Sequence, residues 1–206
     1  MPHTALKPPP SHWPPHLQYT QSYRYHSSLT PAVRQFVQGT PSQKGQQQPS
    51  IRAQVIIREI NITSHPACGQ YGLFAAKKIP PRTHIIDYIG EVHCNDRPDS
   101  DYDLSLYRFQ DGTSVGIDGD SMGNEARFIN DYRGIKNKPN AMFVDARHTS
   151  GELRIGVWSL HEEIRKGEEI LVSYGKSWWR ARSRKNAAHE GHETPKDSVV
   201  YSTRRN

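Results

Sequence analysis

The β-branched and aliphatic residues of this chain come in short runs, each closed by proline or glycine, and that spacing most limits the folds open to it. Val55, Ile56, Ile57 and Ile60 read as one strand, and the stretches 73–76, 85–89, 153–158 and 170–174 read as others. The breaks between them carry turn chemistry. Ile79-Pro80-Pro81 ends a strand because proline has no amide proton to give a ladder. Gln110-Asp111-Gly112 suits a hairpin, and Arg165-Lys166-Gly167 offers glycine for a positive φ. Short strands with few convincing helices predict a mostly β domain over residues 51–180.

The ends differ in kind. Residues 1–50 hold nine of the fifteen prolines, eight glutamines and no Asp or Glu. Such a stretch buries too little apolar surface to offset its ordering entropy, so a mostly disordered N-terminal arm is expected. One segment stands apart: Pro31 can open a helical turn after which Ala32, Val33, Phe36 and Val37 share a side, as a docking segment would. Residues 181–206 read as a basic flexible tail. No apolar run approaches the roughly 18 to 20 residues that span a bilayer, and the opening MPHTALKPPP lacks a secretory stretch. The expectation is an intracellular protein with no membrane contact. Two cysteines, Cys68 and Cys94, make neither a disulfide framework nor a four-thiolate zinc site. His3, His12, His16, His26, His189 and His192 lack ligand spacing, so no metal site is expected.

Charge is distributed unevenly. The total is +6, with +4 in residues 1–50, +5 in 176–206 and −3 between them; within 87–131 eleven acidic groups face three arginines. That acidic middle is either a solvated face or a surface that attracts a basic peptide.

Four segments resemble, in order, the SET-domain family of protein lysine methyltransferases: CGQYGLFAA (68–76), IDYIGEV (86–92), GNEARFINDY (123–132) with Lys138-Pro139-Asn140 after it, and GEEILVSYGKSWW (167–179). Each alone is weak; their order and spacing are not. The resemblance implies several small curved sheets with a knot-like C-terminal thread, an exception to the usual avoidance of threading. The type is compact, without the cysteine-rich zinc module that often follows. It also implies S-adenosyl-L-methionine as cofactor and a protein lysine as substrate, with a histone tail favoured, hence a nuclear location with the cytoplasm as the other choice.

The family's functional positions carry over residue by residue. Tyr174 corresponds to the active-site tyrosine and Tyr102 to the other channel tyrosine, with Tyr107 as an alternative. Gln70, Tyr71, Gly72, Arg127, Phe128, Asn130, Asp131, Tyr174 and Trp179 correspond to cofactor contacts. Val172 and Trp178, with Tyr102, line the lysine channel. The chemistry asks for such residues. Lysine, with an unperturbed pKa of about 10.4, must arrive neutral, and nitrogen, methyl and sulfur must align. Tyrosines give flat walls, cation–π contact and an orienting hydroxyl. Two departures stand out: Gln70 replaces the first glycine of the usual Gly-x-Gly, and Asp131 replaces the motif histidine. They motivate a second reading, a SET fold that binds peptide without turnover. A third assigns weak nucleic-acid contact to the basic arms.

Overall fold

The computed structural model describes residues 8–40, 55–176 and 178–180. Two compact units divide the chain between Ser173 and Tyr174. The basic tail over 181–206 lies outside the described residues, as do 1–7 and 41–54.

The first unit begins with the arm, and there the expectation of disorder gives way for residues 8–40. Two short strands, β1 (Gln18–Tyr19) and β2 (Arg24–Tyr25), precede the helix α1 (Pro31–Gln38). Each strand borrows its partner from elsewhere: β1 lies parallel to Met122 and Gly123, and β2 parallel to Glu91 and Val92. Leu17, Tyr23, Leu29 and Val37 are buried. Composition weighs the apolar surface a segment can bury on itself; it does not weigh what four spaced anchors bury against an existing sheet. The helix forms as its sequence predicts. The Thr30 hydroxyl accepts from the Val33 amide at 3.3 Å, and Pro31 sits in the first turn, where its missing N–H costs nothing. The Phe36 ring packs on Tyr107 and Phe109, with centroids 4.8 and 4.9 Å apart, so the helix docks on this domain's own hairpin.

Beyond the arm the chain is built of strands. β3 (Val55–Glu59) and β4 (Tyr71–Ala75) pair antiparallel with Ile57 opposite Leu73. β5 (His84–Tyr88) is followed by β6 (Glu91–His93), β7 (Asp103–Arg108) and β8 (Ser114–Asp118), the last three forming with β2 a sheet ordered β2-β6-β8-β7. Gly112 in the β7–β8 turn and Gly167 both take the left-handed φ that glycine tolerates, 91° and 83°. β9 (Met122–Gly123) carries β1, and a 3-10 turn over Glu125–Phe128 leads into β10 (Asn130–Asp131). β11 (Ala141–Arg147) and β12 (Leu153–Ser159) make a hairpin that β5 extends, and β13 (Leu171–Val172) pairs parallel with β10. The 170–174 stretch is a strand only over Leu171 and Val172; the preceding Ile170 spends its amide on the Leu73 carbonyl instead.

Ile57, Leu73, Ile85, Ile117, Ile164, Ile170 and Leu171 are almost wholly buried, each such side chain contributing about 1.5–3 kcal/mol relative to exposure. Late residues thus sit as deep as early ones. Among the described residues no helix is long and apolar enough to cross a membrane.

A row of polar groups tethers the arm to β5 and β12. The Tyr25 hydroxyl donates to Glu152 (2.8 Å), Arg154 bonds both Glu152 (2.7 Å) and Asp87 (2.8 Å), and His84 Nε2 donates to Asp87 (2.8 Å). Burial alone would push the Asp87 carboxyl up; the hydrogen bonds from His84 and Arg154 outweigh it and hold the group below the usual carboxylate range. A depressed folded value stabilises the fold above the unfolded carboxyl's pKa, and that stability is lost as pH falls through the folded value. Melting temperature is therefore expected to drop below pH ~4. Asp87→Asn should melt lower at neutral pH and show a shallower acid limb, and an unchanged limb would remove Asp87 from this role.

Candidate functional site

A chain of hydrogen bonds joins stretches that the sequence holds far apart. Asn130 Nδ2, at the start of β10, donates to the Tyr71 carbonyl (3.2 Å) and to Glu169 Oε1 (2.8 Å). Glu169 Oε2 lies 3.0 Å from His65 Nε2, and these two side chains are 8% and 6% exposed. A carboxylate so deeply buried needs donors, and these two supply them. Both amide protons of Asn130 are thereby used. Its Oδ1 has no hydrogen-bond partner among the described residues, and the residue is only half-buried. Gly72 makes room for this arrangement: a Cβ there would lie 2.7 Å from Glu169 Oε1, 2.9 Å from Phe74 and 3.1 Å from Ile60.

A second asparagine clasps the same late segment from its other flank. Asn140 Nδ2 donates to the Glu169 carbonyl (2.7 Å), its Oδ1 accepts from the Leu171 amide (2.8 Å), and its own amide bonds the Leu171 carbonyl (3.1 Å). Asn130 and Asp131 pair with Leu171 and Val172, and the Tyr132 amide bonds the Val172 carbonyl (3.0 Å). The loop from Asn130 to Asn140 therefore holds residues 169–172 on two sides. This is how the expected C-terminal thread is secured.

Aromatic rings and one arginine shape the neighbouring surface. Arg127 donates to the carbonyls of Gly119 (2.8 Å) and Asp120 (3.3 Å), which lays its guanidinium 4.0 Å from the centre of the Tyr102 ring. The Tyr102 carbonyl accepts from the buried Tyr88 hydroxyl at 2.6 Å, so Tyr88 acts in packing. Tyr102 thus faces the Arg127 motif, whereas Tyr107 belongs to the cluster under α1. Phe128 is buried with Tyr71 edge-on at 5.8 Å and Trp13, from the arm, edge-on at 5.5 Å.

The remaining positions divide. Val172 is fully buried. Gln70 is exposed, and its backbone bonds Ala67 and Ile60. Asp131 is 7% exposed and its carboxylate accepts from the Arg133 amide (2.9 Å) and guanidinium (3.4 Å). Within the second unit Tyr174 meets Trp178 edge-on at 4.8 Å, and Trp178 meets Trp179 at 5.0 Å. His65, Glu169 and Trp13 are participants that motif reading passes over. Glu169 stood inside a quoted motif, but its partner His65 is 104 positions away and spacing carries no trace of it. Among the described residues no three His, Cys, Asp or Glu side chains group to hold a metal ion.

Residues 70–175, just over half the chain, match the SET-domain family. The chain belongs to that family. Among relatives, a putative histone-lysine N-methyltransferase of Arabidopsis thaliana, ASHH4, is 28% identical over 125 residues, covering 57% of this chain and 34% of that protein. The H3 lysine-36 specific histone-lysine N-methyltransferase of Candida albicans is 34% identical over 120 residues, covering 55% and 14%. This SET-domain chain thus spans about a third of the length of the first of these relatives and 14% of the second. Among solved structures, ATXR5 in complex with a mono-methylated histone H3.1 aligns with TM-score 0.57 at 18% identity, over 78% of this chain and 82% of that one. At that identity the likeness is one of fold: mostly strands in several small sheets, as the sequence predicted.

Proposed function

We propose that this SET-domain chain transfers a methyl group from S-adenosylmethionine to a lysine amine of a basic protein, with a histone tail as the favoured substrate and the nucleus as the place of action. The observation that carries this reading is the Asn130 amide: Tyr71 and Glu169 fix its Nδ2, and its Oδ1, on a half-buried residue, has no hydrogen-bond partner among the described residues. A carbonyl oxygen left open beside a buried carboxylate suits the ammonium of the cofactor's amino-acid end. When bound, S-adenosylmethionine supplies an electrophilic methyl on a sulfonium.

The chain's own residues do the rest. Asn130 takes the ammonium, Tyr71 contributes backbone and ring, and Phe128 backs that wall. Arg127 holds Tyr102 against one side of the lysine channel. By correspondence with the family's motif, the Tyr174 hydroxyl is assigned the orientation of the neutral amine, Trp178 and Trp179 the exclusion of water from that hydroxyl, and the buried Val172 a channel position. A basic peptide is drawn by the carboxylates that the fold leaves outward. Several of the eleven between 87 and 131 serve the fold instead: Glu91 and Asp118 pair with Arg97, Asp103 with His93, Asp87 with Arg154. Asp96, Asp99, Asp101, Asp111 and Asp120 are exposed to solvent, where their charge attracts a basic peptide.

Asp131 favours a second reading, a module that binds without turnover. Its buried carboxylate is committed to Arg133, so it is not presented to an adenine as a motif histidine would be. Incubating the protein with mixed core histones and labelled cofactor, then mapping modified lysines by mass spectrometry, separates the two. Label on a lysine is expected; cofactor binding with no label on any histone favours the module.

A further inference from the structure

We infer that His65 is a positioning residue for the cofactor pocket, acting through Glu169 on Asn130; this deepens the methyltransferase reading and rests on it. His65 stands before the stretch that matches the SET family, whereas Asn130 and Glu169 lie inside it. Both ring nitrogens are engaged. Nδ1 accepts the Ala67 amide at 3.0 Å, which places the ring proton on Nε2, and Nε2 donates to Glu169 Oε2 at 3.0 Å.

The loop around it is tight. The Cys68 amide bonds the His65 carbonyl (3.0 Å), the Gly69 amide bonds Ile60 (2.8 Å), and the Ile60 amide bonds Gln70 (2.8 Å), so the imidazole is delivered from a closed turn beside β3 and β4. With Oε2 pinned, Oε1 is held 2.8 Å from Asn130 Nδ2. The flip of that amide follows from chemistry. Glu169 and the Tyr71 carbonyl can only accept, so the NH₂ faces both and Oδ1 faces away. If Glu169 is released, the amide loses one of the two acceptors that fix its face. The pocket then offers a donor part of the time where a cationic ligand needs an acceptor.

Two substitutions separate this role from a structural one. His65→Asn can still accept the Ala67 amide but cannot reach Glu169, whereas His65→Gln carries an amide donor far enough to meet it. Calorimetric titration of the full chain with S-adenosylmethionine and with S-adenosylhomocysteine is the test, beside thermal melts. His65→Asn is expected to bind both ligands about tenfold more weakly, by the same factor because both carry the same ammonium, and to melt lower, because the buried Glu169 carboxylate loses one of its two donors. His65→Gln should restore most of that affinity. Glu169→Gln, which keeps shape but adds a donor, should weaken both ligands similarly. In turnover the His65→Asn loss should appear in the cofactor KM with kcat largely kept. Wild-type affinity in His65→Asn, or equal losses in the Asn and Gln variants, overturns the inference alone. Failure of the unsubstituted protein to bind either ligand overturns the methyltransferase reading beneath it.

Discussion

Tyr174→Phe is expected to lower methyl transfer to histone peptides by about two orders of magnitude while the fold and cofactor affinity stay near wild type. The substitution removes one oxygen and keeps the ring. Packing against Trp178, whose centroid lies 4.8 Å from that of Tyr174, is therefore retained. What is lost is the hydroxyl proposed to orient the amine. An amine free to rotate reaches the collinear arrangement rarely, and the rate falls without a matching change in ligand binding. Initial rates at saturating cofactor, set beside a titration of the same variant, check this. Undiminished turnover removes Tyr174 from the mechanism.

Gly72→Ala is the second large effect expected, and it separates two uses of a small residue. By the family resemblance, Gly72 corresponds to a cofactor contact. In the fold, the space beside its Cα is occupied by Glu169, Phe74 and Ile60, the nearest atom 2.7 Å from where a methyl would sit. Glu169 has little freedom to retreat, because it is buried and bonded to His65 and Asn130. Strain of about 1–3 kcal/mol in stability is expected. Loss of cofactor affinity of about tenfold or more should accompany it, since displacing Glu169 disturbs the Asn130 amide. Chemical denaturation and calorimetry measure the two separately. A variant with wild-type stability and affinity contradicts the tight packing around Gly72.

What the sequence revealed, and what it hid, follows from the range of the forces involved. β-branched runs closed by proline or glycine mark strands locally, and β4, β5 and β12 fall where those runs stand. The hairpin at Gln110-Asp111-Gly112 is equally local, its Asp111 carboxylate accepting the Thr113 amide at 2.8 Å. The arm was misjudged because Leu17, Tyr23, Leu29 and Val37 look sparse along the chain, yet each finds a buried place on sheets formed far downstream. The acidic stretch was read by its charge, though part of that charge is neutralised by Arg97 and Arg154, the second of them outside the stretch. The resemblance named Asn130 and quoted the segment that holds Glu169, but gave Glu169 no role. It had no means of finding His65, whose role exists only once β3 and β4 have closed the turn between them.

The most direct test is a calorimetric titration of the full chain with S-adenosylmethionine, repeated on Asn130→Ala. Saturable one-to-one binding is predicted for the unsubstituted protein, weakened about tenfold or more in the variant. No heat at millimolar cofactor, or equal affinity in both proteins, would contradict an acceptor at Asn130 that receives the cofactor.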